Sequence, residues 1–140
     1  MRFLMMVQAS QADYDAMNGR ESVHSPSWSP EEVRAMVAHM SRLNQELADS
    51  GELVDAGGLA EPSQARVVTS APGSDQIVVT DDPYDVTQQL IAGYWVLDCA
   101  DLDRVTEIAS QVTRSPAPAG VPQSFVVIRP FGDAPDPDRR

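Results

Sequence analysis

Few side chains in this chain can move a proton near neutral pH: His24, His39 and the acids clustered around Asp81 and Asp82. His39 lies in a stretch where Val33, Met36, Val37, Met40, Leu43 and Leu47 recur at helical spacing and form one apolar stripe. At about 100° per residue, Asn44 falls inside that stripe and His39 on its flank, where a helix borders a cleft. His39 is therefore a candidate general acid or base, against the plainer reading of a satisfied surface residue. Asn44 must be hydrogen-bonded if buried, either to a neighbouring loop or to a ligand.

The second group with chemical potential is a turn. Val78 to Thr80 reads as the end of a strand, Asp81-Asp82-Pro83-Tyr84 breaks it, and Gly93-Tyr94-Trp95 resumes as an aromatic strand. Asp81 and Asp82 are candidate acids. Tyr84, Tyr94 and Trp95, with Asn44, are candidates to shape and polarise an apolar pocket. His24 and Trp28 lie in a polar stretch that can fold over such a pocket as a lid, or simply be anchored by the Trp28 ring. The lone Cys99 cannot form an internal disulfide and reads as a small apolar residue at a strand end. Two histidines and scattered carboxylates carry no zinc-ligand spacing, so neither metal nor cofactor is expected.

The elements that position these residues follow from patterning. Arg2 to Ala9 is a strand with consecutive apolar residues, implying burial on both faces. Residues 10–29 read as a long loop with at most a short helical turn at 11–17. Ser29-Pro30-Glu31-Glu32 is a capping box with proline in the first turn, and it starts a helix that ends near Ser50-Gly51. Residues 52–59 form a strand broken at Gly57-Gly58, and 65–70 with 76–80 form a hairpin. A helical turn is expected at 85–91, a strand at 93–99 and an amphipathic helix at 101–112 capped by Asp101. The last strand spans 124–131, and the Asp/Pro-rich tail from 132 to 140 reads as disordered.

Length suits one domain over residues 1–131. The net charge is −11 and every one of the ten basic residues is arginine, which disfavours a nucleic-acid groove or an anionic membrane surface. No apolar run approaches a bilayer span, and the single cysteine agrees with a reducing compartment, so a cytoplasmic protein is expected. The order β-α-β, hairpin, β-α-β predicts an α+β fold: a ferredoxin-like antiparallel sheet with two helices on one face. Strands apolar on both faces then require a cover for the bare side. A second copy of the chain, making a homodimer through facing sheets, is the economical one.

Arg2 to Val7, Asn44-Gln45-Glu46-Leu47 followed by Gly51-Glu52-Leu53-Val54, Gly57-Gly58-Leu59, Asp81-Asp82-Pro83-Tyr84, Ile91-Ala92-Gly93-Tyr94-Trp95 and Ile128-Arg129-Pro130 together resemble the YCII-related superfamily, in the branch named for its DGPF motif. The resemblance covers about residues 1–131 and implies a dimeric α/β barrel. Where the branch reads D-G-P-F-A-E-x-K-E, this chain keeps Asp81, Pro83 and an aromatic residue but lacks the glycine and the Lys-Glu pair. Shorter YCII-type members resemble lyases or dehydrochlorinases in which a helix His pairs with an Asp before a Pro. His39 matches the His, whereas Ser115 before Pro116 stands at the Asp position. His39 would then take its orienting partner from the acids of the 81–85 turn. Two functions follow: a cofactor-free proton-transfer enzyme of small-molecule metabolism (lyase, dehydratase, isomerase or cyclase), or a non-catalytic ligand-binding or regulatory module with a small apolar or aromatic ligand.

Overall fold

The computed structural model describes residues 1–20, 22–122, 124–133 and 138. Six strands and three α-helices follow one another as β1 (Arg2–Ala9), α1 (Gln11–Met17), α2 (Pro30–Asp49), β2 (Leu53–Gly58), β3 (Arg66–Ser70), β4 (Ile77–Asp81), β5 (Leu90–Asp98), α3 (Leu102–Thr113) and β6 (Val126–Pro130), with a 3-10 turn at Pro62–Gln64. The fold is α+β. Four strands form one antiparallel sheet in the order β2-β5-β1-β6, while β3 and β4 pair only with each other as a separate ribbon.

Alternation along the strands sorts side chains onto two faces. Phe3, Met5, Trp95 and Leu97 point to the face covered by α2 and α3, where they meet Leu43 and Leu47 of α2 and Val105, Ile108 and Val112 of α3 in the core. Leu4, Met6, Tyr94, Val96 and Val127 lie on the opposite face, since each faces one of the others across the strand register or lies two residues along the same strand. This distribution is the physical content of strands that read as apolar throughout.

Both long helices begin as their sequences require. Ser29 accepts from the Glu32 amide while the Glu32 carboxylate accepts from the Ser29 amide, and Gly51, with φ of +79°, ends α2 in the left-handed region. The stripe on α2 is buried only in its second half. Leu43 and Leu47 are buried, but Val37 is 51% exposed, because the first half of the helix extends past the core.

The short helical turn expected at 11–17 is present as the helix α1, fixed by a capping box between Ser10 and Asp13. One local expectation is corrected. No helix forms at 85–91. The Asp85 carboxylate accepts from both the amide and the hydroxyl of Thr87, which closes a local turn, and Leu90 and Ile91 already pair with Ala9 and Gln8 as the start of β5. The tail expected to be disordered lies, apart from residues 132, 133 and 138, outside the described residues. Among the described residues no helix is long and apolar enough to cross a membrane.

Candidate functional site

His39 is half-buried, and its Nε2 lies 2.7 Å from the carbonyl oxygen of Gln111. That carbonyl belongs to the last turn of α3, where helix carbonyls lack intrahelical partners, so His39 ties α2 to the end of α3. A carbonyl can only accept. Nε2 therefore carries the proton, and the neutral ring is left with Nδ1 as its acceptor. The orienting partner of His39 is thus a backbone carbonyl, in place of the acid expected from the 81–85 turn. Beside it lies a groove of about 80 Å³ lined by His39, Arg42, Leu43, Glu46 and Gln111. Ser115, at the position where the resemblance implies an acid, is in the same region. Its amide donates to the Val112 carbonyl, and its buried hydroxyl has no partner among the described residues.

The acids of the turn are engaged elsewhere. Asp81 ends β4 and forms a two-pronged pair with Arg66, Nε to Oδ1 at 2.6 Å and Nη2 to Oδ2 at 3.1 Å, both residues exposed. Asp82 follows with φ of 48°, the only non-glycine left-handed residue among the described residues, and its amide donates to the Ala65 carbonyl. Aspartate tolerates this conformation better than most residues do. Tyr84 is half-buried in the same turn.

The residues expected to share one pocket are distributed over both faces of the sheet. Trp95 is buried against the helices, and its indole donates to Asn44 Oδ1 at 2.7 Å, so the amide in the apolar stripe of α2 is satisfied by the neighbouring strand. Tyr94, one residue away, lies on the other face. Its ring rests on Gly57, where an added Cβ would sit 2.9 Å from the ring, and its hydroxyl donates to Asp55 at 3.2 Å. That hydrogen bond, with the Asp55 charge, raises the phenol pKa above its ordinary 10.0.

Several residues between α1 and α2 are held down: Arg20, Ser25 and Trp28. The Trp28 amide donates to the Ala16 carbonyl, Arg20 reaches Asp15 and Glu61, and Ser25 donates to Asp13 at 2.7 Å. Burial pushes the Asp13 carboxyl up, but bonds from the Ser10 amide, Ser25 and Gln89 outweigh it and leave the pKa lowered. His24 is exposed, and the nearby Asp85 carboxyl is held below its ordinary value chiefly by the hydrogen bonds from the Thr87 amide and hydroxyl, with His24 a minor contributor. Neither His24 nor Trp28 lines the larger cleft.

That cleft, about 190 Å³, lies between the segment joining β2 to β3 and the start of β5. Leu59, Pro62, Leu90 and Ile91 supply its apolar wall, with Glu61 and Gln64 as polar lining. Leu59 and Ile91 are 45% and 44% exposed, so both leave part of their apolar surface open to the cleft. The Tyr14 hydroxyl of α1 donates to the Leu59 carbonyl at 2.9 Å, which ties α1 to this segment. Sequence reading did not find this site. Its only signal was the Gly57-Gly58-Leu59 break followed by proline, which is not specific.

Among the described residues no group of three or more His, Cys, Asp or Glu could hold a metal ion. A family model described as the YCII-related domain matches residues 1–129. The chain is also similar to an uncharacterized protein of Rhizobium meliloti (strain 1021), 26% identical over 95 residues, which cover 68% of this chain and 74% of that protein.

Proposed function

The chain belongs to the YCII-related family, and we propose that within it this protein is a ligand-binding module: a homodimer that takes a small apolar or aromatic molecule in the cleft beside Leu59 and Ile91 without transforming it. One observation carries the reading. The two groups that the sequence offers as an acid-base pair, His39 and Asp81, do not meet at the cleft: His39 faces a different groove, of about 80 Å³, and Asp81 is paired with Arg66, while the one carboxylate lining the cleft, Glu61, is tied to Arg20. A cavity of some 150 Å³ already accommodates a benzene-sized guest, so the larger cleft suits one ring and the smaller groove does not.

The assembly part of the proposal rests on the sheet. The order β2-β5-β1-β6 with α2 and α3 on one face supports a ferredoxin-like topology, and Leu4, Tyr94, Val96 and Val127, partly exposed around the buried Met6, form an apolar strip on the face those helices do not cover. A second copy covering this strip gives the dimeric α/β barrel. Placement in the DGPF branch is supported by Asp82, whose left-handed backbone stands where that branch carries glycine.

Native mass spectrometry of the purified protein tests the reading. The expected result is a dimer carrying a small adduct that keeps its mass on incubation. An adduct that converts to a second mass in the wild type, and persists unchanged in His39→Ala, would replace binding by catalysis.

One observation favours the second reading, a cofactor-free lyase or isomerase. The Gln111 carbonyl fixes His39 in the tautomer that leaves Nδ1 as a base, with Arg42 in the same groove to hold an anionic group. On that reading His39→Ala lowers turnover by about 10²-fold or more.

A further inference from the structure

The cleft has an electrostatic character that its apolar lining conceals. Its ionisable lining residue is Glu61. The hydrogen bond from Arg20, then that from Ser63, holds the Glu61 carboxyl below its ordinary value, so it is an anion at neutral pH. Arg20 does not neutralise it fully, because its Nε donates to Asp15 at 2.8 Å while its Nη2 donates to Glu61 at 2.7 Å. One guanidinium between two carboxylates leaves a surplus negative charge at the cleft. The Arg20 side chain is 49% exposed, so its field is screened by solvent more than that of Glu61, at 24%. Oε2 takes Arg20 and Oε1 takes the Ser63 hydroxyl, with Gln11 as a further side-chain partner, and two oxygens offer about four lone-pair directions, so one remains for a ligand. Beyond the site, the whole chain carries −11 and so attracts cations and repels anions.

We infer that the ligand of this cleft is a small apolar amine, its ring or alkyl body against Leu59, Pro62, Leu90 and Ile91 and its ammonium group on Glu61. This deepens the binding reading above and rests on it. An isosteric carboxylate is disfavoured by the surplus charge, and a neutral analogue lacks the ionic contact.

Binding constants for benzylamine, benzyl alcohol and benzoate, measured by NMR titration of the full chain at low salt, separate the two claims. Benzylamine should bind about tenfold tighter than benzyl alcohol, with benzoate weaker than both, and the advantage of the amine should shrink at high salt. Glu61→Gln should bring benzylamine down to the level of benzyl alcohol. Arg20→Gln, which removes the competing cation, should tighten benzylamine further, an effect that a merely structural role for the ion pair would not produce. Benzylamine no tighter than benzyl alcohol, benzoate equal to the amine, or weaker amine binding in Arg20→Gln would overturn the amine assignment while leaving the cleft intact. If none of the three compounds binds, the cleft reading itself fails and the amine assignment with it.

Discussion

At the residue scale the most consequential group is Glu52, which accepts from Arg104 Nε and Nη2, both at 2.8 Å, and from the Ser50 hydroxyl, with the Cys99 thiol at 3.4 Å. It joins the start of β2 to the first turn of α3. The hydrogen bonds from Arg104, opposed by burial and assisted by Ser50, hold its carboxyl at about 2 against an ordinary 4.5. Burial, with Glu52 beside it, pushes the Cys99 thiol up to about 11, so the thiol is protonated and unreactive at neutral pH. A depressed acid stabilises the fold fully above its unfolded value and progressively less as pH falls through the folded one. Glu52→Gln should therefore cost about 1–3 kcal/mol at neutral pH. The gap between variant and wild type in denaturant melts should be flat above about pH 5 and should close between 4.5 and 2.

Asn44 and Asp82 show how far single residues were legible. The requirement that a stripe amide be hydrogen-bonded followed from periodicity alone. Its partner Trp95, 51 residues away, did not, because helix-to-strand docking is not encoded locally. Leaving the indole without Asn44, by Asn44→Ala, should cost about 1–3 kcal/mol in thermal or denaturant unfolding. The left-handed backbone at Asp82 was foreshadowed only by the motif it replaces. Asp82→Gly should raise stability by up to about 1 kcal/mol, and a loss instead would show that the Asp82 side chain supports the turn.

At the scale of elements, capping and periodicity located α2, α3 and the hairpin, because those signals lie within a few residues of one another. The short turn at 11–17 was placed at the bounds of α1, and the capping box Ser10-Gln11-Ala12-Asp13 is the local signal that fixes it, while proline, glycine and serine further along mark the remainder as a loop. Tyr94 and Trp95, offered together by the sequence, point to opposite faces of the sheet, as adjacent strand residues do. Tyr94 instead depends on β2. Gly57→Ala places a methyl group 2.9 Å from the outer edge of its ring, so the ring, flexible at that end, must shift. The expected outcome is a small change in stability and, where the shift breaks the bond to Asp55, a phenol titration that returns toward 10.0, read by ultraviolet absorbance against pH.

At the scale of the molecule, the sheet presents one face to the helices and one apolar face to whatever covers it, and composition had already implied that division. Val127 lies on the bare face at the edge strand β6, so Val127→Glu should split a dimer into folded monomers in light scattering, while a wild-type monomer would refute the assembly. The cleft was not legible because it is built from the 59–65 connection and the first residues of β5, which come together only in the folded chain. Titration of the ¹⁵N-labelled protein with benzyl alcohol, followed by amide shifts, tests the central claim most directly. The account predicts shifts centred on residues 59–65 and 90–91, retained in His39→Ala and abolished when Ile91→Trp fills the cleft. Shifts centred on His39 and Gln111, and lost in His39→Ala, would contradict it.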